Sequence, residues 1–113
     1  MKPGQHLIEL IEKGKHDWIQ TYEVVSVLVD RENTSDAILR LALMGLIAEM
    51  LISGLFVAGE IGDEGFSCWG GVVTDNIARA WTLVADTDVK EIGIGEGAWF
   101  NLTPSGEEVA ALS

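Results

Sequence analysis

The sequence predicts an α+β domain, mostly helical, and three observations lead there. Four stretches carry apolar residues as helical stripes or as one long apolar run, and a fifth opens on helix-start chemistry. Three short apolar or aromatic runs lie between glycine-bearing turns and read as strands. The chain has 113 residues, 48% of them hydrophobic, which suits one core and a single domain over 1–113.

In chain order, Leu7, Leu10 and Ile11 fit a short helix by i, i+3, i+4 spacing, and Gly14 separates it from the next segment. Trp18, Tyr22, Val25 and Val29 fall on one helical stripe, although Val24, Val25, Val27 and Val29 favour a strand by propensity. The period predicts a helix, with Asn33 as its stop. Thr34, Ser35 and Asp36 are cap residues before an apolar helix from Ala37 to about Ser53, closed by Gly54. Leu55 to Ile61 reads as a strand, Gly62-Asp63-Glu64-Gly65 as a turn, and Phe66 to Trp69 as a short return strand ended by Gly70-Gly71. Thr74 or Asp75 caps a helix to about Ala85, with Ile77, Trp81 and Val84 on its buried face. Gly93, Gly95 and Gly97 form a turning segment before a strand at 98–102. Thr103, Pro104 and Glu107 are the cap, first position and first turn of a last helix.

Charge separates function classes. Eighteen Asp and Glu face seven Lys and Arg, a net charge of −11. On a surface of roughly 6,000 Å² that is about one excess negative charge per ~550 Å². Such a surface repels nucleic acid and anionic membranes and attracts a basic partner. The plainer reading is that the charge keeps the chain soluble. The run from Ala37 to Gly59 is nearly all apolar but holds Arg40 and Glu49, so a mostly buried helix explains it better than a membrane span. The opening residues do not read as a signal peptide, and the single Cys68 forms no intrachain disulfide; both lead to the expectation of a cytoplasmic protein.

Residues 99–107, Trp-Phe-Asn-Leu-Thr-Pro-Ser-Gly-Glu, resemble a pattern of bacterial winged-helix proteins of the PadR and MarR type, in which an aromatic strand leads through Leu-Thr-x-x-Gly into a helix. Residues 51–61, Leu-Ile-Ser-Gly-Leu-Phe-Val-Ala-Gly-Glu-Ile, resemble the passage from helix to first wing strand in the same family. The resemblance covers under a quarter of the chain. It implies a winged-helix-like three-helix core with a small β-hairpin or sheet and a C-terminal helix, and a transcriptional regulator that binds DNA. The sequence departs from it in three ways. A helix is expected between the two wing strands. The helix that should read DNA carries Arg40 as its only basic residue. The wing tip carries Glu96, and the cations are scattered.

No catalytic or metal motif stands out, so neither enzyme activity nor a cofactor is expected. His6 and His16 lack metal-ligand spacing and read as surface histidines, and Cys68 has no placed catalytic partner. Asp86-x-Asp88 begins like a calcium loop, but Glu91 stands where glycine is needed and Gly97 where glutamate is. The Gly93-x-Gly95-x-Gly97 run precedes a strand and lacks the dinucleotide spacing. Trp18, Trp81 and Trp99 are expected on buried faces. Trp69 lies among glycines; a core place is the plainer reading, and an exposed one would make it an interface anchor.

These readings favour a non-enzymatic, acidic protein-binding domain: an immunity protein or antitoxin that covers a basic toxin, such as a nuclease. The expected contact residues are Asp63, Glu64, Trp69, Asp86, Asp88, Glu91 and Glu96. The apolar surplus also fits a homo-oligomer, without indicating which face pairs.

Overall fold

The computed structural model describes residues 4–28 and 33–112. Their order is α1 (Gln5–Gly14), β1 (Ile19–Gln20), α2 (Thr21–Ser26), α3 (Asp36–Ile52), β2 (Phe56–Gly62), β3 (Gly65–Cys68), α4 (Val73–Thr82), a 3-10 turn (Val89–Glu91), β4 (Trp99–Leu102) and α5 (Pro104–Ala111). The four strands form one antiparallel sheet in the order β1-β4-β2-β3. The expected α+β, mostly helical class is the class observed.

Sequence chemistry accounts for most of the boundaries. Ser35 caps α3, its hydroxyl accepting the Ile38 N–H. Thr103 caps α5 by accepting the Gly106 N–H, with Pro104 at the first position. Gly54 follows α3 at φ 77°, the left-handed stop that ends many helices. The Gly62–Gly65 turn joins β2 to β3 in register Gly62↔Gly65.

Three expectations are corrected. The stripe from Trp18 does not form one helix: Ile19 and Gln20 pair with Phe100 and Trp99 of β4, and only Thr21–Ser26 is helical. Val29 of that stripe lies outside the described residues, and α2 stops at Ser26, well before the expected stop at Asn33. The valines that favour a strand by propensity do not form it: Val24 and Val25 lie in α2, and the strand is the two residues before that helix. Trp18 is therefore not on a buried face; it is 37% exposed and stacks on Phe66 with ring centroids 6.4 Å apart. Lastly, α4 starts at Val73 on a Val72 cap with no side-chain hydrogen bond, so neither Thr74 nor Asp75 caps it.

One core holds these elements together. Ile19, Phe56, Ala58, Phe100 and Leu102 point from the sheet into it, alternating along β4 with the half-buried Trp99 and Asn101. They meet Leu10 and Ile11 of α1, Val24 and Val25 of α2, Leu39, Leu43, Ile47 and Met50 of α3, and Ala110 of α5. Thr21 is the one buried polar residue among those described, and its hydroxyl donates to the Ala98 carbonyl at 2.8 Å. Gly97, at φ 79°, makes that approach possible, because a Cβ there would stand 2.6 Å from the Thr21 hydroxyl.

Gly106 is the tightest helix contact. A Cβ on it would lie 2.2 Å from the Leu55 carbonyl oxygen. Gly106→Ala should therefore push α5 off the start of β2 and cost about 1–3 kcal/mol. A lowered urea midpoint checks this, against a change within about 0.5 kcal/mol for the exposed neighbour Ser105→Ala.

Candidate functional site

α3 runs directly into β2 and is the helix that the winged-helix resemblance would assign to DNA. Its chemistry is set by what surrounds it. α4 lies antiparallel along it: Leu51 and Val73 line one cleft, Trp81 Nε1 donates to the Met44 carbonyl at 3.2 Å, and Arg40 reaches the residues that follow α4. Arg40 Nη1 donates to the Val84 carbonyl at 3.0 Å and Nη2 to the Thr87 carbonyl, with Asp36 at 3.7 Å. The guanidinium thus serves carbonyls of the connection just past α4, which ends at Thr82. Asp36 completes the tie by accepting the Val89 N–H at 2.6 Å. The one cation of α3 is a clasp between helices and does not stand free to meet a phosphate.

The other side of α3 is exposed and almost uncharged. Ile38, Leu41, Ala42, Gly45, Glu49 and Ile52 form a single stripe facing solvent, with Glu49 its one charge. The expected helix, buried on most sides, is thus buried through Leu39, Leu43, Leu46, Ile47, Met50 and Leu51, and this stripe is the side left open. The sequence held little signal for it. An amphipathic face is recognised by contrast, and a helix apolar on all sides has none.

The expected acidic contacts are all exposed and fall into two groups. Asp63 and Glu64 form the tip of the β2–β3 hairpin. Glu96 sits on the neighbouring glycine loop, whose Gly95 and Gly97 line a shallow cleft with Glu60 and Ile61. Its carboxylate accepts the Gly93 N–H at 2.8 Å and so shapes its own loop, while Gly95 N–H donates to Gln20 Oε1. Asp86, Asp88 and Glu91 belong instead to the connection from α4 past the N-terminus of α3.

Trp69 takes the plainer of its two places. It is half-buried against the core, with its Nε1 shut off from solvent, and the Arg79 guanidinium lies 4.1 Å from its ring centroid. Arg79 also pairs with Glu60 at 3.5 Å. Trp69 is therefore covered on one face by the Arg79 guanidinium, which Glu60 holds at the surface, and its value as a free anchor is correspondingly small. Trp81 and Trp99 are half-buried, Cys68 is exposed, and His16 is exposed. His6 departs from the surface reading: it is half-buried with Nδ1 enclosed and unpaired.

Among the described residues no group of three His, Cys, Asp or Glu could hold a metal ion, and no helix is long and apolar enough to cross a membrane. No protein-family model, curated protein or solved structure matches the chain.

If Arg40 is a clasp, Arg40→Met should take the guanidinium from both carbonyls, leaving the Val84 carbonyl only the Thr87 N–H, and cost about 1.5–3 kcal/mol, the range for hydrogen bonds to a charged group. Equilibrium unfolding in urea checks it. A loss within about 0.5 kcal/mol, as for ordinary surface positions, would return Arg40 to the role of a free cation.

Proposed function

We propose that this chain is a non-enzymatic protein-binding domain that covers a basic partner, in the manner of an immunity protein or antitoxin covering a toxin. The observation that carries the reading is the division of its charges. Asp63, Glu64, Asp86, Asp88, Glu91 and Glu96 are all exposed on turns and connections. Lys15, Arg40 and Arg79 are each paired within the chain, with Glu12, Asp36 and Glu60. The outward field is therefore negative, which speeds association with a positively charged surface. A nuclease is such a partner, because its site must attract a polyanion. The exposed thiol of Cys68 suits a reducing, cytoplasmic setting.

A winged-helix-like scaffold is the fold reading we attach to this function. The sheet order β1-β4-β2, with α1 and α2 flanking β1 and α3 leading into β2, supports it. β3, α4 and the 3-10 turn then occupy the span where a plain wing has a short loop. That strand order is also what favours the second reading, a DNA-binding regulator. The engagement of Arg40 and the apolar outer stripe of α3 weigh against it, since phosphate contacts need several free cations together.

The test is capture of partners on the immobilised chain from lysate of its own organism, at low and high salt. The expected result is a basic protein held near stoichiometry and released as salt rises. The paired reversals Asp63→Lys/Glu64→Lys and Asp86→Lys/Asp88→Lys should identify the contacting group by slowing association about tenfold at low salt. Retention indifferent to salt and to both reversals would overturn the electrostatic account.

A further inference from the structure

We propose that the ring of Trp18, beside the Asp63–Glu64 hairpin tip, is the docking site for an arginine side chain of the basic partner. This rests on the reading above for the sign of the partner's charge; it adds the residue type recognised and the place where it docks.

Segments far apart in sequence build the spot. Trp18 stands just before β1 and the tip joins β2 to β3, yet the two touch: a Cβ on Gly65 would lie 3.2 Å from Trp18 Cη2. Phe66, the next residue, stacks on Trp18 with ring centroids 6.4 Å apart and 29° between the ring planes. The indole is thus fixed in place before any partner arrives, so binding does not have to order it. It remains the most exposed of the four tryptophans, and tryptophan is the side chain most enriched where binding energy concentrates.

The acids beside it are free. Asp63 and Glu64 are exposed, and neither has an ion-pair or hydrogen-bond partner among the described residues. Glu60 and Glu96 differ, since the first holds Arg79 and the second shapes its own loop. Asp17, whose Oδ1 accepts the Trp18 N–H at 2.8 Å, adds a third exposed carboxylate next to the ring.

The chain itself shows which cation this combination suits. Arg79 lies 4.1 Å from the Trp69 ring centroid while Glu60 pairs with it at 3.5 Å, so one guanidinium is shared by an indole face and a carboxylate. Trp18 with Asp63 and Glu64 offers the same two partners, and among the described residues no cation lies over its ring. Arginine fits such a place better than lysine does. Its guanidinium is planar and weakly hydrated and stacks on an aromatic face, whereas an ammonium is a compact, strongly hydrated charge. Its fork also meets a carboxylate with two parallel N–H bonds.

Titration of the isotope-labelled full chain with an oligo-arginine peptide, and in parallel with an oligolysine of equal length, tests this by NMR at physiological salt. The expected result is that the arginine peptide shifts the Trp18 indole N–H and the Gly65 amide saturably, and binds about threefold more tightly than the lysine peptide. Trp18→Leu should remove that preference and leave the weaker, charge-driven binding of both peptides. Asp63→Asn/Glu64→Gln should weaken the arginine peptide more than Glu107→Gln/Glu108→Gln, an equal loss of charge at exposed positions of α5, which packs at the other end of β2. Equal affinity for the two peptides, or shifts that miss Trp18 and Gly65, overturns the proposal in the wild-type chain before any variant is made. An arginine preference that survives Trp18→Leu also overturns it. A basic partner captured from lysate and lost at high salt, with no shift at Trp18, would sink this site and leave the partner reading standing. A saturable, arginine-specific shift at Trp18 with no basic partner in the lysate would do the reverse.

Discussion

The rest of the structure depends on the need to cover α3, a 17-residue helix that is apolar on nearly every side. Left in water, such a helix exposes its whole circumference, and each buried leucine or isoleucine side chain contributes about 1.5–3 kcal/mol. α1, α2, β2, α4 and the 3-10 turn all pack on it. The segment between β2 and β4 follows from the same need. Instead of turning back at once, the chain sends α4 along α3, and Trp81, Arg40 and Asp36 supply the polar ties that fix it there. The α4 segment thus serves the helix beside it.

The surface is consequently divided. Exposed carboxylates collect on the hairpin tip, the glycine loop and the connection after α4, while the outer stripe of α3 is nearly free of charge. The two regions offer different physics. Long-range attraction to any positive surface would come from the first and be weakened by salt. Apolar contact comes from the second and persists when salt screens the charge, because burial of apolar area does not rest on Coulomb attraction.

Much of the fold was legible in the residues, because its punctuation is local chemistry. Ser35, Gly54, the Gly62–Gly65 turn, Thr103 and Pro104 act where they stand, and each marks the boundary it was expected to mark. What escaped was set from a distance. Ile19 and Gln20 are a strand only because β4, some eighty residues later, pairs with them. Trp18 then leaves the core to stack on Phe66 across the sheet. The exposed stripe of α3 was hidden by uniform apolarity, which leaves no period to read. The acidic residues were visible by type, but their separation into two groups depends on where the glycine loop and the post-α4 connection lie. Trp69 was ambiguous for the same reason: Arg79 and Glu60 decide its environment, and neither is near it in sequence.

The proposed function requires that α3, the helix to which the winged-helix resemblance would give DNA, makes no contact with nucleic acid. The most direct measurement is the amide NMR spectrum of the labelled chain titrated with a mixed-sequence DNA duplex at low salt, where phosphate contacts are strongest. Resonances along residues 38–52 are expected to stay where they are at every duplex concentration. Shifts confined to that stretch, saturating with duplex and fading as salt is added, would contradict it.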